Sequence, residues 1–222
     1  MPRAAVDDLL SALLPSRCAG CDRRGAPLCN ACASTLTAPP NVAPPNLVEW
    51  WTACFAYEGV GREVVARAKY RGERATLRLL AARLAGAVRA APATFDIVTW
   101  APASAKRRSQ AGIDHGAVLA RAVARDLRLP ARRMHARASG APQTGRDAAS
   151  RRAGPRLRAM CEARGLTVLV VDDVATTGGT LAAAARALRA RGAHAVFAAT
   201  IARTPAPGQA REQRLYTPAI TR

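Results

Sequence analysis

The sequence predicts an α/β fold: a mostly parallel sheet flanked by helices, preceded by a small cysteine-rich module. Three observations carry that expectation. From residue 51 onward, short apolar runs alternate with segments of helical spacing, the pattern of a parallel sheet covered by helices. Four cysteines crowd into CAGCDRRGAPLCNAC, residues 18–32, ahead of that alternation. A proline-rich stretch, TAPPNVAPPN at 37–46, stands between the two and can join neither a helix nor a central strand. The expected partition is a module over 1–36, a linker over 37–48, an α/β domain over 49–205 and a C-terminal tail over 206–222.

At 222 residues, 50% of them apolar, the chain can bury a sizeable core and is not disordered as a whole. Aromatics are 4%, so that core is built mainly from Ala, Val and Leu. Basic residues number 34 against 15 acidic ones, a net charge of +19. Such an excess points first to partners carrying phosphate. It also reflects an Ala/Arg-rich composition, since the only lysines are Lys69 and Lys106. No apolar run reaches the roughly 18 residues of a membrane span. The N-terminus, interrupted by Asp7 and Asp8, reads as a short amphipathic helix rather than a signal peptide. A cytoplasmic protein with reduced thiols is the expectation.

The elements follow in order. WTACFAY (51–57) reads as a strand, and REVVARAKY (62–70) has helical spacing. ATLRLLAARLAGAVRAA (75–91) is an amphipathic helix with Leu77, Leu80, Leu84 and Val88 on one side. FDIVTWAP (95–102) is a strand ended by Pro102, and HGAVLARAVARDL (115–127) a helix with Pro130 just beyond. VLVVD (168–172) is a buried strand and TLAAAARALRARG (180–192) a helix stopped by Gly192. AHAVFAATIA (193–202) is the last strand. The Arg-rich segment 132–160 is too long for a simple connection. It reads either as a functional loop ending in a short helix or as a partly disordered basic stretch.

The stretch VLVVDDVATTGGTL, 168–181, carries the chemistry. A parallel strand ending at Asp172 delivers its next residues to the C-terminal edge of the sheet, where ligands bind in open α/β folds. The turn then feeds a helix whose N–H groups and positive dipole end favour a phosphate. Gly178 and Gly179 permit close backbone approach, and Thr176, Thr177 and Thr180 add hydroxyls, Thr180 also as a helix cap. Adjacent carboxylates would repel a phosphate; they suit hydroxyls or a cation. A sugar bearing a phosphate at one end and free hydroxyls elsewhere satisfies both halves. No Lys follows the glycines, so the Walker pattern is excluded.

C-x2-C, seven residues, then C-x2-C is metal-ligand spacing, and Cys18, Cys21, Cys29 and Cys32 are the candidate ligands of a tetrahedral zinc site. Disulfides and a redox pair are weaker readings in a reducing compartment. Cys54 and Cys161 read as packing residues. His115 and His135 read as surface or helix-end residues. Trp50 and Trp51 read as core or interface residues.

The run VLVVDDVATTGGTL resembles the binding motif for 5-phosphoribosyl 1-pyrophosphate (PRPP) of the type I phosphoribosyltransferases. That resemblance implies that Asp172 and Asp173 contact the ribose hydroxyls. It implies that Ala175, Thr176, Thr177, Gly178, Gly179 and Thr180 hold the 5′-phosphate, and that magnesium accompanies the pyrophosphate. Joined to a zinc-ribbon-like N-terminus, such a domain is similar to the ComF family, which includes GntX-like proteins. AYEGVGREVVARAKYRGER (56–74), APASAKRRSQAGIDHGAVLARAVARDLRLP (101–130) and APQTGRDAASRRAG (141–154) resemble further family segments. Two positions depart from the family pattern: Ala111-Gly112-Ile113-Asp114-His115 stands where R-G-F-N-Q is usual, and Arg146 where Leu is usual.

In related phosphoribosyltransferases an early loop grips the pyrophosphate. Lys69 and Arg71 sit at the matching place, and Lys106, Arg107 and Arg108 offer a second set. Three functions stay open. One is transfer of a phosphoribosyl group to an unnamed acceptor. Another is a non-catalytic accessory role in single-stranded DNA uptake, acting with a helicase partner. The third is an adaptor docking through the cysteine module.

Overall fold

The computed structural model describes residues 16–70, 74–102, 114–137 and 155–205. Arg71, Lys106, Arg107 and Arg108 lie outside them, as do the expected N-terminal helix, the C-terminal tail and most of the segment 132–160.

The centre is a four-stranded, fully parallel sheet of order β3-β8-β7-β4. Its strands are β3 (Trp50–Ala56), β4 (Ile97–Trp100), β7 (Thr167–Ala175) and β8 (Ala195–Arg203). β7 and β8 are buried along most of their length, as expected of strands covered on both faces. Helices α2 (Gly59–Tyr70), α3 (Arg74–Val88), α4 (His115–Leu127) and α5 (Gly179–Arg189) supply the cover.

Two apolar clusters form. One gathers Phe55, Val64, Leu84, Val123, Leu169 and Val171 from the sheet and from α2, α3 and α4. The other sets Val168, Val170, Val196 and Trp51 against Leu181 and Leu188 of the Ala-rich α5. Alanine has the highest helix propensity and lets α5 lie close to the sheet.

The boundaries follow recognisable stops. Asp114 caps α4, its Oδ1 accepting from the Ala117 N–H at 3.3 Å. Gly192 follows α5 with φ 83°. β7 continues three residues past the expected end at Asp172, because β8 runs beside it and pairs Val174 with Ala202 and Ala175 with Arg203.

Among the described residues of 132–160 no helix forms, although one of the two readings of that segment ended it in a short helix. Residues Leu157–Ala159 are instead a strand, β6, antiparallel to β5 (His135–Arg137). The pair packs on α5, so His135 is fully buried rather than at the surface.

The cysteine module holds β1 (Ser16–Arg17) antiparallel to β2 (Arg24–Gly25), then a five-residue helix α1 (Asn30–Ser34). Among its described residues it has no core of its own. Cys18, Ala19, Leu28 and Cys32 belong to the same buried cluster as Phe55 and Val64.

The proline-rich stretch is fixed by Arg203. This buried guanidinium donates to the carbonyls of Pro40, Val42 and Trp51 at 3.0–3.2 Å and stacks 3.5 Å from the Trp51 ring. Burial lowers its pKa to about 10, leaving it charged at neutral pH. Among the described residues no helix is long and apolar enough to cross a membrane.

Candidate functional site

Asp172 and Asp173 lie in the C-terminal half of β7, both partly exposed. Each carboxylate turns back on the chain: the Asp173 N–H donates to Asp172 Oδ1 at 2.9 Å, and the Val174 N–H to Asp173 Oδ1 at 2.6 Å. One oxygen of Asp173 is thus bound locally. The other, Oδ2, meets Lys69 Nζ at 2.9 Å. Both side chains of this pair are 23% exposed, so solvent reaches the ions.

Lys69 comes from the last turn of α2, more than a hundred residues away in the chain. The fold therefore brings the cation expected for a pyrophosphate onto an acid expected for a ribose. A cleft beside them is lined by Val65, Leu77, Leu119 and Ile201, with His115 at the start of α4.

After β7 the turn Thr176–Gly178 leads into α5. The helix cap is Gly178, not Thr180, which lies inside the first turn. Gly178 adopts φ 72°, a left-handed backbone that a residue with a Cβ takes only at a cost of about 1–2 kcal/mol. A Cβ there would also stand 2.5 Å from Cγ of Pro45. The proline-rich stretch thus lies directly against the turn, a contact that sequence reading missed because nothing local encodes it. No side chain caps the helix, although the Gly179 N–H reaches Thr177 Oγ1 at 3.4 Å. A helix start with a glycine cap and exposed Thr176 and Thr177 is chemically suited to an oxyanion.

The four cysteines converge. All four Sγ atoms lie within 4.8 Å of one another, with 3.6 Å between Cys18 and Cys29 and 3.8 Å between Cys21 and Cys29. Zn–S bonds of about 2.3 Å in a tetrahedron require S···S separations of about 3.8 Å. Backbone N–H groups of Gly20 and Cys29 point at Cys18 Sγ at 3.4 and 3.3 Å, as they do around a thiolate. Burial opposes ionisation of Cys18, yet these donors outweigh it and lower its pKa to about 6. Cys32 is pushed up to about 12, by burial first and then by the neighbouring thiols. The donor set fits a tetrathiolate metal site, whose binding would release the remaining protons.

Residues 111–217 match the family model of the phosphoribosyl transferase domain, and the described parallel sheet with its flanking helices has a phosphoribosyltransferase-like fold. No curated protein matches the chain. Solved structures similar to it include glutamine PRPP amidotransferase from B. subtilis. That match is 22% identical with a TM-score of 0.40, covering 56% of this chain and 25% of that one. The purine phosphoribosyltransferase of Pyrococcus horikoshii is 16% identical at a TM-score of 0.40, covering 58% and 83% of the two chains. The adenine phosphoribosyltransferase of Leishmania donovani is 19% identical at 0.41, covering 70% and 64%. The chain therefore spans about a quarter of the length of the B. subtilis enzyme.

Proposed function

We propose that the protein is a ComF-type phosphoribosyltransferase-like protein that binds PRPP, or a related sugar phosphate, at the C-terminal edge of its sheet. The observation that carries this reading is the convergence of Asp173, Lys69 and the glycine-capped turn at one sheet edge. Each part has a separate task. The turn 175–180 takes the 5′-phosphate through backbone N–H groups and threonine hydroxyls. Asp172 and Asp173 accept hydrogen bonds from the ribose hydroxyls. Lys69, and Arg71 beyond it, neutralise the pyrophosphate. Magnesium, when bound with PRPP, spreads the charge of the leaving pyrophosphate. The cysteine site holds zinc and is structural, because its four ligand positions are filled by the chain.

Transfer to an acceptor nitrogen at C1, with pyrophosphate leaving through an oxocarbenium-like state, asks the chain to position charges rather than to form covalent bonds. Lys69 is already at the acid that would face the sugar. Its exchange from Asp173 to the pyrophosphate frees that carboxylate for a hydroxyl as substrate arrives.

The test is calorimetric titration of the full chain with PRPP and magnesium, beside a variant carrying Asp172→Asn and Asp173→Asn. Binding by the wild type and its loss in the folded variant is the expected result. Equal affinity in both removes the ribose role from the acids.

The net charge of +19 favours a second reading, an accessory protein for single-stranded DNA working with a helicase. No PRPP binding by zinc-loaded wild type, together with DNA affinity that falls steeply with salt, would select it.

A further inference from the structure

α2 touches both sites, and it does so with opposite faces. Toward the cysteine module, Arg67 Nη1 donates to the Cys18 carbonyl at 3.0 Å and lies 3.7 Å from Asp22 Oδ1. Asp22 stands at φ 67° in the turn between the first cysteine pair and β2, and it also meets Arg17 at 3.2 Å. Earlier on the same helix, Val60 packs beside Gly20 of the cysteine loop: a Cβ on Gly20 would stand 2.6 Å from Cys32 Sγ and 3.0 Å from Val60 Cγ1. Toward the sheet, Lys69 reaches Asp173 at 2.9 Å.

Residues two apart on a helix point about 200° away from each other and are separated by about 3 Å along the axis. Arg67 and Lys69 are such a pair. Between them Ala68, with Val64 and Val65, is buried in the cluster that also contains Cys18 and Cys32. The helix is therefore clamped on one side by the loop that carries the first cysteine pair, and it presents a cation to the acid on the other.

We propose that Arg67 is a positioning residue through which the tetracysteine site controls the sugar-phosphate site. Module folding holds Arg67 on the Cys18 carbonyl, which sets the rotation and depth of α2, which holds Lys69 on Asp173. Metal occupancy and ligand binding at Asp173 are then linked, and by reciprocity each changes the affinity of the other by one factor. The meaning of Asp173 as a ligand-binding group rests on the sugar-phosphate reading; the mechanical link does not.

The full chain allows a direct readout. Lys69 is one of two lysines, so its acylation rate is followed by peptide mass spectrometry, and its pairing with Asp173 slows that rate. In Arg67→Ala, with zinc still bound, Lys69 acylation is expected to rise several-fold and PRPP affinity to fall about 5–10-fold, within the usual range of coupling between sites. Arg67→Lys is expected to recover part of both. In Asp173→Asn, Lys69 is expected to react fast whether or not residue 67 is also changed.

The same Lys69 rate in zinc-loaded Arg67→Ala as in wild type would overturn the link. A rate that responds to Arg67 in a protein that never binds PRPP would keep the link and remove the sugar-phosphate reading instead.

Discussion

Gly178 concentrates two demands on a single residue. Its backbone is left-handed and its missing side chain makes room for Pro45. Gly178→Ala is expected to cost about 2–4 kcal/mol, combining backbone strain with overpacking against the proline ring. Urea denaturation measures that cost, and titration with PRPP should show weaker binding in the fraction that stays folded. The acids behave differently. Asp172 and Asp173 are partly exposed and each braces a neighbouring amide, so their replacement by Asn preserves shape and hydrogen bonding. The double Asn variant is expected to lose ligand affinity with a small change in thermal midpoint. Gly178 thus bears on both stability and binding, the nearby acids on binding alone.

At the scale of elements, the cysteine module depends on the sheet and the sheet on the module. β1, β2 and α1 are each five residues or fewer and cannot persist alone. Cys18 and Cys32 lie in the cluster formed by β3, α2 and α3, so disturbance of the metal site reaches those elements. Cys29→Ser is expected to reduce zinc content and to loosen residues 16–36. A loss of about 2 kcal/mol at the shared core would lower the melting temperature of the whole chain by about 4–8 °C. Metal analysis with calorimetry tests this; full zinc retention would remove Cys29 from the ligand set.

At the scale of the whole molecule, one buried histidine ties stability to pH. His135 is fully buried between β5 and α5, its Nε2 3.2 Å from the Ala184 carbonyl oxygen. Burial lowers its pKa from the usual 6.5, and hydrogen bonds to the backbone only partly oppose that. The folded state therefore keeps His135 neutral where the unfolded chain would protonate it. The stability this represents is complete above the unfolded value of about 6.5 and is lost as pH falls from there toward the depressed folded value. Urea midpoints at pH 7.5 and 5.5 should show wild type weakening in acid. His135→Gln, which keeps a donor near Ala184, should flatten that slope; an unchanged slope would assign it to other groups.

Much of the molecule is legible in the chain. Alternation of apolar runs and helical spacings determined the parallel sheet, because a strand buried on both faces and a half-buried helix leave different periods. Spacing alone marked Cys18, Cys21, Cys29 and Cys32 as a cluster, since each pair forms a local turn that brings two thiols together. The placement of the acids, threonines and glycines of 172–180 was legible for the same reason: strand end, turn and helix start are consecutive. What the sequence misjudged was set by distant partners. β7 outran its predicted end because β8 supplies the ladder. Residues 157–159 became a strand because 135–137 pair with them, and His135 was buried by that pairing. Three contacts were decided only by tertiary structure: Lys69 on Asp173, Arg67 on Cys18, and Pro45 on Gly178. Each joins residues far apart in the chain, and periodicity and spacing report only on neighbours.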